Sequence, residues 1–223
     1  MAAPDRFPAE SGELALAGPA GAIEALVELP EPDKARAGIA IVCHPHPLHE
    51  GTMHNKVVTM TARSLRELGL AVLRFNFRGV GDSAGSYDNG AGEAEDVRAI
   101  AAWLDQVRPG DQLWLAGFSF GAYVAARAAQ DLPVRQLISI GPAVENFDMA
   151  GLRHPDCPWL VIQGEEDEVV SPQAVFDWAA TVKPPVQLIR MPETGHFFHR
   201  RLMDLRGALK NAVKGNLPPL RDA

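Results

Sequence analysis

The sequence predicts an α/β fold in which a mostly parallel central sheet carries helices on both faces. Short apolar segments alternate with amphipathic segments of helical length along nearly the whole chain. The segment "AGIAIVCHP", residues 37–45, is a continuous apolar run. Such a run is typical of a central strand that is buried on both faces.

Local patterns predict the individual elements in order. The segments "GELALAG" and "GAIEALVELP" are predicted as two antiparallel strands joined by a tight turn. A helix is predicted over residues 54–68, and the strand "LAVLRFNF" follows it. Ser171 and Pro172 are typical of the start of a later helix. The remaining strands are predicted at 111–116, 134–142, 158–164 and 185–191, and the remaining helices at 93–107, from the glycine-flanked Ser119 to about 132, at 172–182 and at 197–215.

The composition of the chain indicates which binding partners and which cellular location to expect. The chain has 223 residues and a formal net charge of −7, with no basic patch, so we expect no nucleic-acid partner. The segment "MAAPDRFPAESGE" lacks the apolar core of a signal peptide, and no apolar run approaches the roughly 18 residues of a membrane helix. We therefore expect a cytoplasmic protein without a membrane partner, in which Cys43 and Cys157 are reduced and buried.

The segment "LWLAGFSFGAYVAAR", residues 113–127, contains the first candidate site. Gly117 and Gly121 flank Ser119 between a predicted strand and a predicted helix. This Gly-x-Ser-x-Gly pattern is typical of a nucleophile elbow, in which a strained turn presents the serine hydroxyl at the edge of the sheet. The backbone N–H of Phe120 would then point to the place where an oxyanion forms. The alternative is a small-residue turn that packs a helix closely against a sheet.

Two downstream loops supply the residues that such a serine needs. A serine hydroxyl is a weak nucleophile at neutral pH, so it requires a histidine base and an acid that orients this base. Asp167 and His196 each follow the end of a different predicted strand, so both can converge with Ser119 at one edge of the sheet. His199 is the competing base, but its predicted place one turn into the last helix favours an exposed structural role.

These motifs together resemble the α/β-hydrolase superfamily. "GFSFG" matches its elbow, "GEEDEVV" its Gly-x-x-Asp-x-x-Val pattern and "TGHFF" its Gly-His segment. "CHPHPLHEGTMHNKVV" and "RFNFRGVGDSAGSYDNGAGE" further resemble a group of small bacterial esterase-like serine hydrolases that lack a lid domain. The resemblance covers about residues 12–213. It implies one α/β-hydrolase domain over residues 1–223 and a catalytic triad of Ser119, Asp167 and His196.

The resemblance also indicates an oxyanion hole and a reserve acid. The usual His-Gly after the third strand is His44-Pro45 in this chain, and Pro45 has no N–H to donate. The second oxyanion donor beside Phe120 is therefore expected to be the backbone N–H of His46. In some members the acid follows the strand after the elbow, which makes Glu145 the reserve candidate.

The loop after the third strand is rich in histidine, which raises a metal site as an alternative. Its spacing fits no common structural zinc pattern and contains no His-Glu-x-x-His motif. Two prolines favour a stiff loop that lines a pocket. We therefore expect no metal and no cofactor. The residues weighed as ligands are His44, His46, His49, Glu50 and His54.

The combined pattern predicts a serine hydrolase that cleaves ester bonds, or thioester bonds, of small or exposed acyl substrates. Only about seventeen residues, "PAVENFDMAGLRHPDCP", separate Ile140 from Trp159, which is too few for a helical lid, so we expect an open groove and a small-molecule partner. A thioesterase, a short-peptide peptidase or an acyltransferase would use the same triad. A non-catalytic binding module with a hydrolase-like fold is the alternative of a different class.

Overall fold

Strands and helices alternate along the chain in the predicted order. The computed structural model describes residues 4–221. Its strands are β1 (Gly12–Gly18), β2 (Gly21–Glu28), β3 (Gly38–Cys43), β4 (Ala71–Phe75), β5 (Gln112–Phe118), β6 (Val134–Ile140), β7 (Trp159–Gly164) and β8 (Gln187–Met191). Its α-helices are α1 (Lys56–Glu67), α2 (Ala91–Val107), α3 (Phe120–Ala128), α4 (Pro172–Thr181) and α5 (Leu202–Val213), and short 3₁₀ turns lie at Pro32–Lys34, Pro47–His49 and Lys214–Asn216.

The eight strands form one sheet in the order β1-β2-β4-β3-β5-β6-β7-β8. β1 pairs with β2, and β2 with β4, in antiparallel fashion, whereas all other neighbours are parallel. The prediction of a mostly parallel sheet with antiparallel first strands is confirmed. The carboxyl ends of β3, β5, β6, β7 and β8 consequently share one edge of the sheet, where functional loops collect in such folds.

Helices cover both faces of the sheet. α1 and α5 pack on one face through apolar side chains such as Val58 and Leu205, and α2, α3 and α4 cover the other with side chains such as Val97, Val124 and Val175. All six residues of β3 are buried, as its continuous apolar run predicts. This two-sided burial stabilises the sheet edge from which the loops project.

The start of α1 and the end of α3 differ from the predicted helix boundaries. α1 begins at Lys56 because the Asn55 side chain caps it, accepting a hydrogen bond from the Val57 N–H at 2.9 Å. α3 ends at Ala128, four residues short of the predicted end. Pro133 disfavours a helical conformation for the residue before it, so the chain leaves the helix early.

The last helix begins later than predicted. α5 begins at Leu202, because Phe198 and Arg200 have φ angles of 52° and 60°, which no right-handed helix contains. His199 is therefore exposed in the loop before α5, and its predicted place inside the helix is wrong.

The connection between β6 and β7 contains no lid. Residues 141–158 form turns and bends without a helix. Cys43 and Cys157 are free thiols, and both are buried, as the sequence predicts. Among the helices of residues 4–221, none combines the length and apolar character that a membrane span requires.

Candidate active site

Ser119 occupies a strained turn between β5 and α3. Its φ and ψ are 55° and −117°, a conformation that is costly for a residue with a side chain. The Ser119 N–H donates to the Ile140 carbonyl at 2.8 Å, which ties the turn to the end of β6. A Cβ at Gly117 would overlap the Gly121 carbonyl, and a Cβ at Gly121 would lie 2.5 Å from the Cys43 oxygen. Both flanking positions therefore require glycine.

Asp167 and His196 form a buried pair beyond the ends of β7 and β8. The Nδ1 atom of His196 lies 2.8 Å from Oδ2 of Asp167. The backbone N–H groups of Val169 and Val170 donate to Oδ1 of Asp167 at 2.9 and 2.8 Å. Burial raises the pKa of Asp167, but the hydrogen bonds from His196, Val170 and Val169 outweigh it, so this pKa lies below its ordinary value. Asp167 is therefore ionised at neutral pH.

Two further side chains hold this pair in place, and sequence reasoning missed both. Nε2 of Gln163 donates to Oδ2 of Asp167 at 2.9 Å, the oxygen that also faces His196. Oε2 of Glu168 accepts a hydrogen bond from the His196 backbone N–H at 3.0 Å. The available signal for Gln163 is its polar side chain in the otherwise apolar strand "WLVIQG".

The His196 imidazole lies beside the serine turn. Its ring centroid is 4.8 Å from that of Phe118, the residue before Ser119. A Cβ at Gly141 would lie 3.4 Å from Cε1 of the same imidazole. Ile140, the residue before Gly141, accepts the Ser119 N–H, so the imidazole lies close to residues on both sides of the serine turn. The structure thus brings the three candidate side chains to one part of the sheet edge.

The loop at residues 44–53, called the oxyanion loop after the role predicted for it, lies against the start of α3. Phe120 is the first residue of α3, so its N–H has no intrahelical acceptor. The His46 ring packs on the Phe120 ring with 5.1 Å between centroids. The His46 carbonyl accepts hydrogen bonds from His49 and Gly51, both at 3.1 Å, which folds the loop into a compact turn.

His44 is a structural link within the oxyanion loop. It is fully buried, and its Nε2 accepts a hydrogen bond from the Phe77 N–H at 2.9 Å. Nδ1 therefore carries the proton and donates to the Pro45 carbonyl at 2.7 Å. Burial lowers the pKa of His44 to about 4, so the ring is neutral at pH 7. Residues 4–221 contain no group of three or more His, Cys, Asp or Glu side chains placed to hold a metal ion.

The reserve candidates occupy other positions. Oε2 of Glu145 accepts a hydrogen bond from the Ser171 N–H at 3.0 Å, and the Glu145 side chain is otherwise exposed. His199 is also exposed. The carboxylate that contacts His196 Nδ1 is that of Asp167.

Comparison with known proteins identifies the family. A family model for an "Alpha/beta hydrolase domain" matches residues 50–212. The chain belongs to the α/β-hydrolase family. Its mostly parallel sheet, with antiparallel first strands and a serine turn between β5 and α3, is the arrangement that the sequence predicts.

Solved structures similar to this α/β-hydrolase cover nearly all of its length. A Xanthomonas campestris protein, a member of the a/b serine hydrolases without lid, is 55% identical, with a TM-score of 0.93 over 97% of this chain and 99% of that chain. An alpha-beta serine hydrolase homologue from Coxiella burnetii is 44% identical, with a TM-score of 0.89 over 93% of this chain and 99% of that chain. The predicted lidless α/β-hydrolase fold is confirmed.

A curated relative has a similar sequence but no described activity. An uncharacterized protein of Rickettsia prowazekii is 41% identical over 165 residues, which are 72% of this chain and 68% of the relative. It extends the family relationship to a further bacterium without adding a substrate.

Proposed function

We propose that this protein is a serine hydrolase that cleaves carboxylic ester bonds, thioesters included, through an acyl-enzyme on Ser119. The 2.8 Å contact between His196 Nδ1 and Asp167 Oδ2, beside a serine held at a φ of 55°, carries the proposal. Such a constellation is recognised by geometry and roles. The serine hydrolases of Xanthomonas and Coxiella named above support the same chemistry.

Acylation begins at the imidazole of His196. Because Nδ1 donates its proton to Asp167, Nε2 is free to accept the proton of the Ser119 hydroxyl. Oγ of Ser119 then attacks the substrate carbonyl carbon. The backbone N–H groups of Phe120 and His46 donate to the resulting oxyanion. The C–O or C–S bond breaks as His196 protonates the leaving alcohol or thiol.

Deacylation repeats these steps with water. His196 accepts a proton from a water molecule, which attacks the acyl carbon of the ester on Ser119. The bond to Oγ breaks, Oγ recovers the proton from His196, and the carboxylic acid leaves. Asp167 stays ionised and holds the tautomer of the imidazole throughout. The chain's own groups and water balance the reaction, so the mechanism calls for no cofactor.

The substrate in this proposal is a small molecule. Residues 141–158 form no lid over the serine turn, so few contacts enclose a bound ligand. Specificity requires enclosing contacts, and an open site therefore accepts varied alcohol groups. We accordingly propose small or exposed acyl substrates.

The decisive experiment compares the wild type with Ser119→Ala on short-chain p-nitrophenyl esters. We expect kcat to fall by about 10⁵-fold or more, because the oxyanion donors alone give only residual catalysis. A fluorophosphonate probe should label the wild type and leave the variant unlabelled. A Ser119→Ala enzyme with full activity would overturn the proposal.

A matched pair of histidine variants tests the base. His196→Gln should lose activity to a similar extent, whereas His199→Gln, altered at an exposed loop residue, should retain it. Thioesters and short peptides assayed in parallel determine which acyl donors the enzyme accepts. A folded wild type that turns over none of these donors and resists the fluorophosphonate would instead support a non-catalytic binding module.

A further inference from the structure

Aromatic rings gather on one side of the serine turn. The Phe120 ring lies 5.1 Å from His46, 5.0 Å from Phe147 and 5.7 Å from Tyr87, measured between centroids. His46 and Tyr87 are themselves 4.8 Å apart, and Phe147 stacks on Tyr123 at 4.9 Å. These rings come from four separate segments of the chain and converge beside the proposed nucleophile.

Three of these rings are partly exposed. Phe120 is fully buried and Tyr123 is 7% exposed, so both support the cluster from beneath. His46, Tyr87 and Phe147 are half-buried. We call these three residues the aromatic wall. It is built from the oxyanion loop, the β4–α2 loop and the β6–β7 connection, all at the carboxyl edge of the sheet.

The proposed chemistry directs the acyl group of the substrate toward this wall. His196 must protonate the leaving group, so the leaving alcohol lies on the imidazole side. Phe197 stands on that side, with its ring 5.1 Å from the His196 ring. The acyl substituent extends away from the imidazole, on the side of the oxyanion donors Phe120 and His46. The aromatic wall contains the His46 ring and contacts Phe120, so it borders this substituent.

The wall favours ligands that are flat and uncharged. Aromatic faces pair with other aromatic rings more favourably than with saturated groups of equal area. Burial, with His49 nearby, lowers the pKa of His46, so this ring is neutral at pH 7. The loops that form the wall also carry exposed carboxylates, which would repel an anionic acyl group: Glu50, Asp88, Glu145 and Asp148.

We propose that the aromatic wall selects esters whose acyl group ends in an uncharged planar aromatic ring, an inference that rests on the proposed ester hydrolysis. The recognition is a stacking contact on an open surface, since the site has no lid to enclose the acyl group.

The test uses methyl phenylacetate and methyl cyclohexylacetate, which differ in the planarity of a ring that is not conjugated with the carbonyl. Because both substrates are methyl esters, the ring of the acyl group is the only ring in each substrate. We expect kcat/KM of the wild type to favour the phenyl ester by roughly three- to tenfold, the usual range for one aromatic contact. Tyr87→Leu and Phe147→Leu should each bring this ratio close to one.

Two controls separate stacking from a general loss of packing. Tyr87→Phe keeps the ring and should keep the preference. Phe176→Leu removes an equally half-buried ring of α4, which packs under Arg190 at 3.9 Å, and should leave both the activity and the preference unchanged. Thermal unfolding of each variant shows that the fold is retained.

The outcomes distinguish this inference from the function on which it rests. A wild type that hydrolyses methyl acetate but shows a phenyl-to-cyclohexyl ratio of one or less would overturn the aromatic acyl site and leave the serine hydrolase intact. A preference that survives both leucine variants would equally exclude the wall as its source. Failure to hydrolyse all three of these esters and the short-chain p-nitrophenyl esters would overturn ester hydrolysis itself, and the aromatic site with it.

Discussion

The serine turn at residues 117–121 and the oxyanion loop at residues 44–53 face each other across the sheet edge, but different kinds of contact hold them. In the serine turn, the tightest constraint joins Gly117 to the Gly121 carbonyl, four residues away. In the oxyanion loop, the Met53 N–H donates to Oδ1 of Asn76 at 2.9 Å, and the His44 ring binds Phe77. These two partners of the loop are more than twenty positions distant in the sequence.

The distant contacts of the oxyanion loop extend into β2. Arg74 of β4 donates to the Met53 carbonyl at 2.5 Å and to Glu28 at 2.9 Å. Nδ2 of Asn76 donates to Glu24 at 2.7 Å. The antiparallel strand β2 thus positions a loop that is distant from it in the sequence. Contacts between residues that are close in the sequence produce a recognisable sequence motif. A network of distant contacts leaves only scattered polar residues in the sequence.

Among variants that keep Ser119 and His196, the largest expected effect comes from the acid beside His196, and it leaves the oxyanion loop intact. Asp167→Asn removes the charge that holds the His196 tautomer, and we expect kcat to fall by about 10⁴-fold while the fold persists. Glu145→Gln is the matched control, because this exposed carboxylate binds a backbone N–H away from His196. Steady-state kinetics on one ester measures both. An Asp167→Asn enzyme within tenfold of wild type would contradict the assigned role.

Gly121→Ala should disrupt both regions at once. The added Cβ would lie 2.5 Å from the carbonyl oxygens of Cys43 and His44, where the oxyanion loop begins. We expect unfolding free energy to fall by about 3 kcal/mol from overpacking, and kcat/KM to fall about 10²-fold from misplaced donors. Gly207→Ala in α5, which meets nothing within 4 Å, should be neutral or stabilising. Equal behaviour of the two variants in urea unfolding would refute the proposed crowding.

The difference between the serine turn and the oxyanion loop explains which features the sequence could predict. The sheet, its antiparallel first strands and the serine turn follow from periodicity and from glycine spacing, which are local signals. Gln163 and Asn76 were missed because a lone polar residue does not reveal its partner across the sheet. The start of α5 was misplaced because apolar periodicity continues through Phe198, whose φ of 52° is imposed by the turn before the helix.

His44 makes the stability of the oxyanion loop depend on pH. Burial holds its pKa at about 4 in the folded protein, against an ordinary value near 6.5. Between these values the unfolded chain binds the proton and the folded chain does not, so stability rises with pH through this window. The contribution is fully present above about pH 6.5 and is lost as the pH falls to 4, a change of about 3 kcal/mol.

His44→Gln isolates this contribution. We expect the unfolding free energy of the variant to decline less than that of the wild type between pH 7 and pH 4, by about 3 kcal/mol. Urea unfolding at both pH values measures the difference. His54→Gln, which alters an exposed histidine of the neighbouring segment, should keep the pH dependence of the wild type. If His44→Gln kept it too, the neutral buried imidazole would not be the cause.

The smallest expected effect concerns Gln163, whose side chain holds Asp167 through a hydrogen bond, as Asn76 holds the oxyanion loop. Gln163 donates to Oδ2 of Asp167, while its own Oε1 is buried without a hydrogen-bond partner among residues 4–221. Gln163→Met keeps the length of the side chain and removes both polar atoms. The carboxylate then loses one donor, so we expect kcat to fall by about tenfold with KM unchanged, a loss typical of one hydrogen bond to a charged group.

The same substitution should leave stability nearly unchanged. Removing the unpartnered Oε1 relieves a buried polar group, whereas the Gly164 carbonyl loses the Nε2 donor at 3.1 Å, so we expect the two effects to offset and the unfolding free energy to change by less than about 1 kcal/mol. A merely structural glutamine would lose stability and activity together, whereas a positioning residue loses kcat alone. Urea unfolding and kinetics on one preparation separate the two roles. A less stable Gln163→Met with unchanged kcat would show that Asp167 is held by Val169 and Val170 without help from β7.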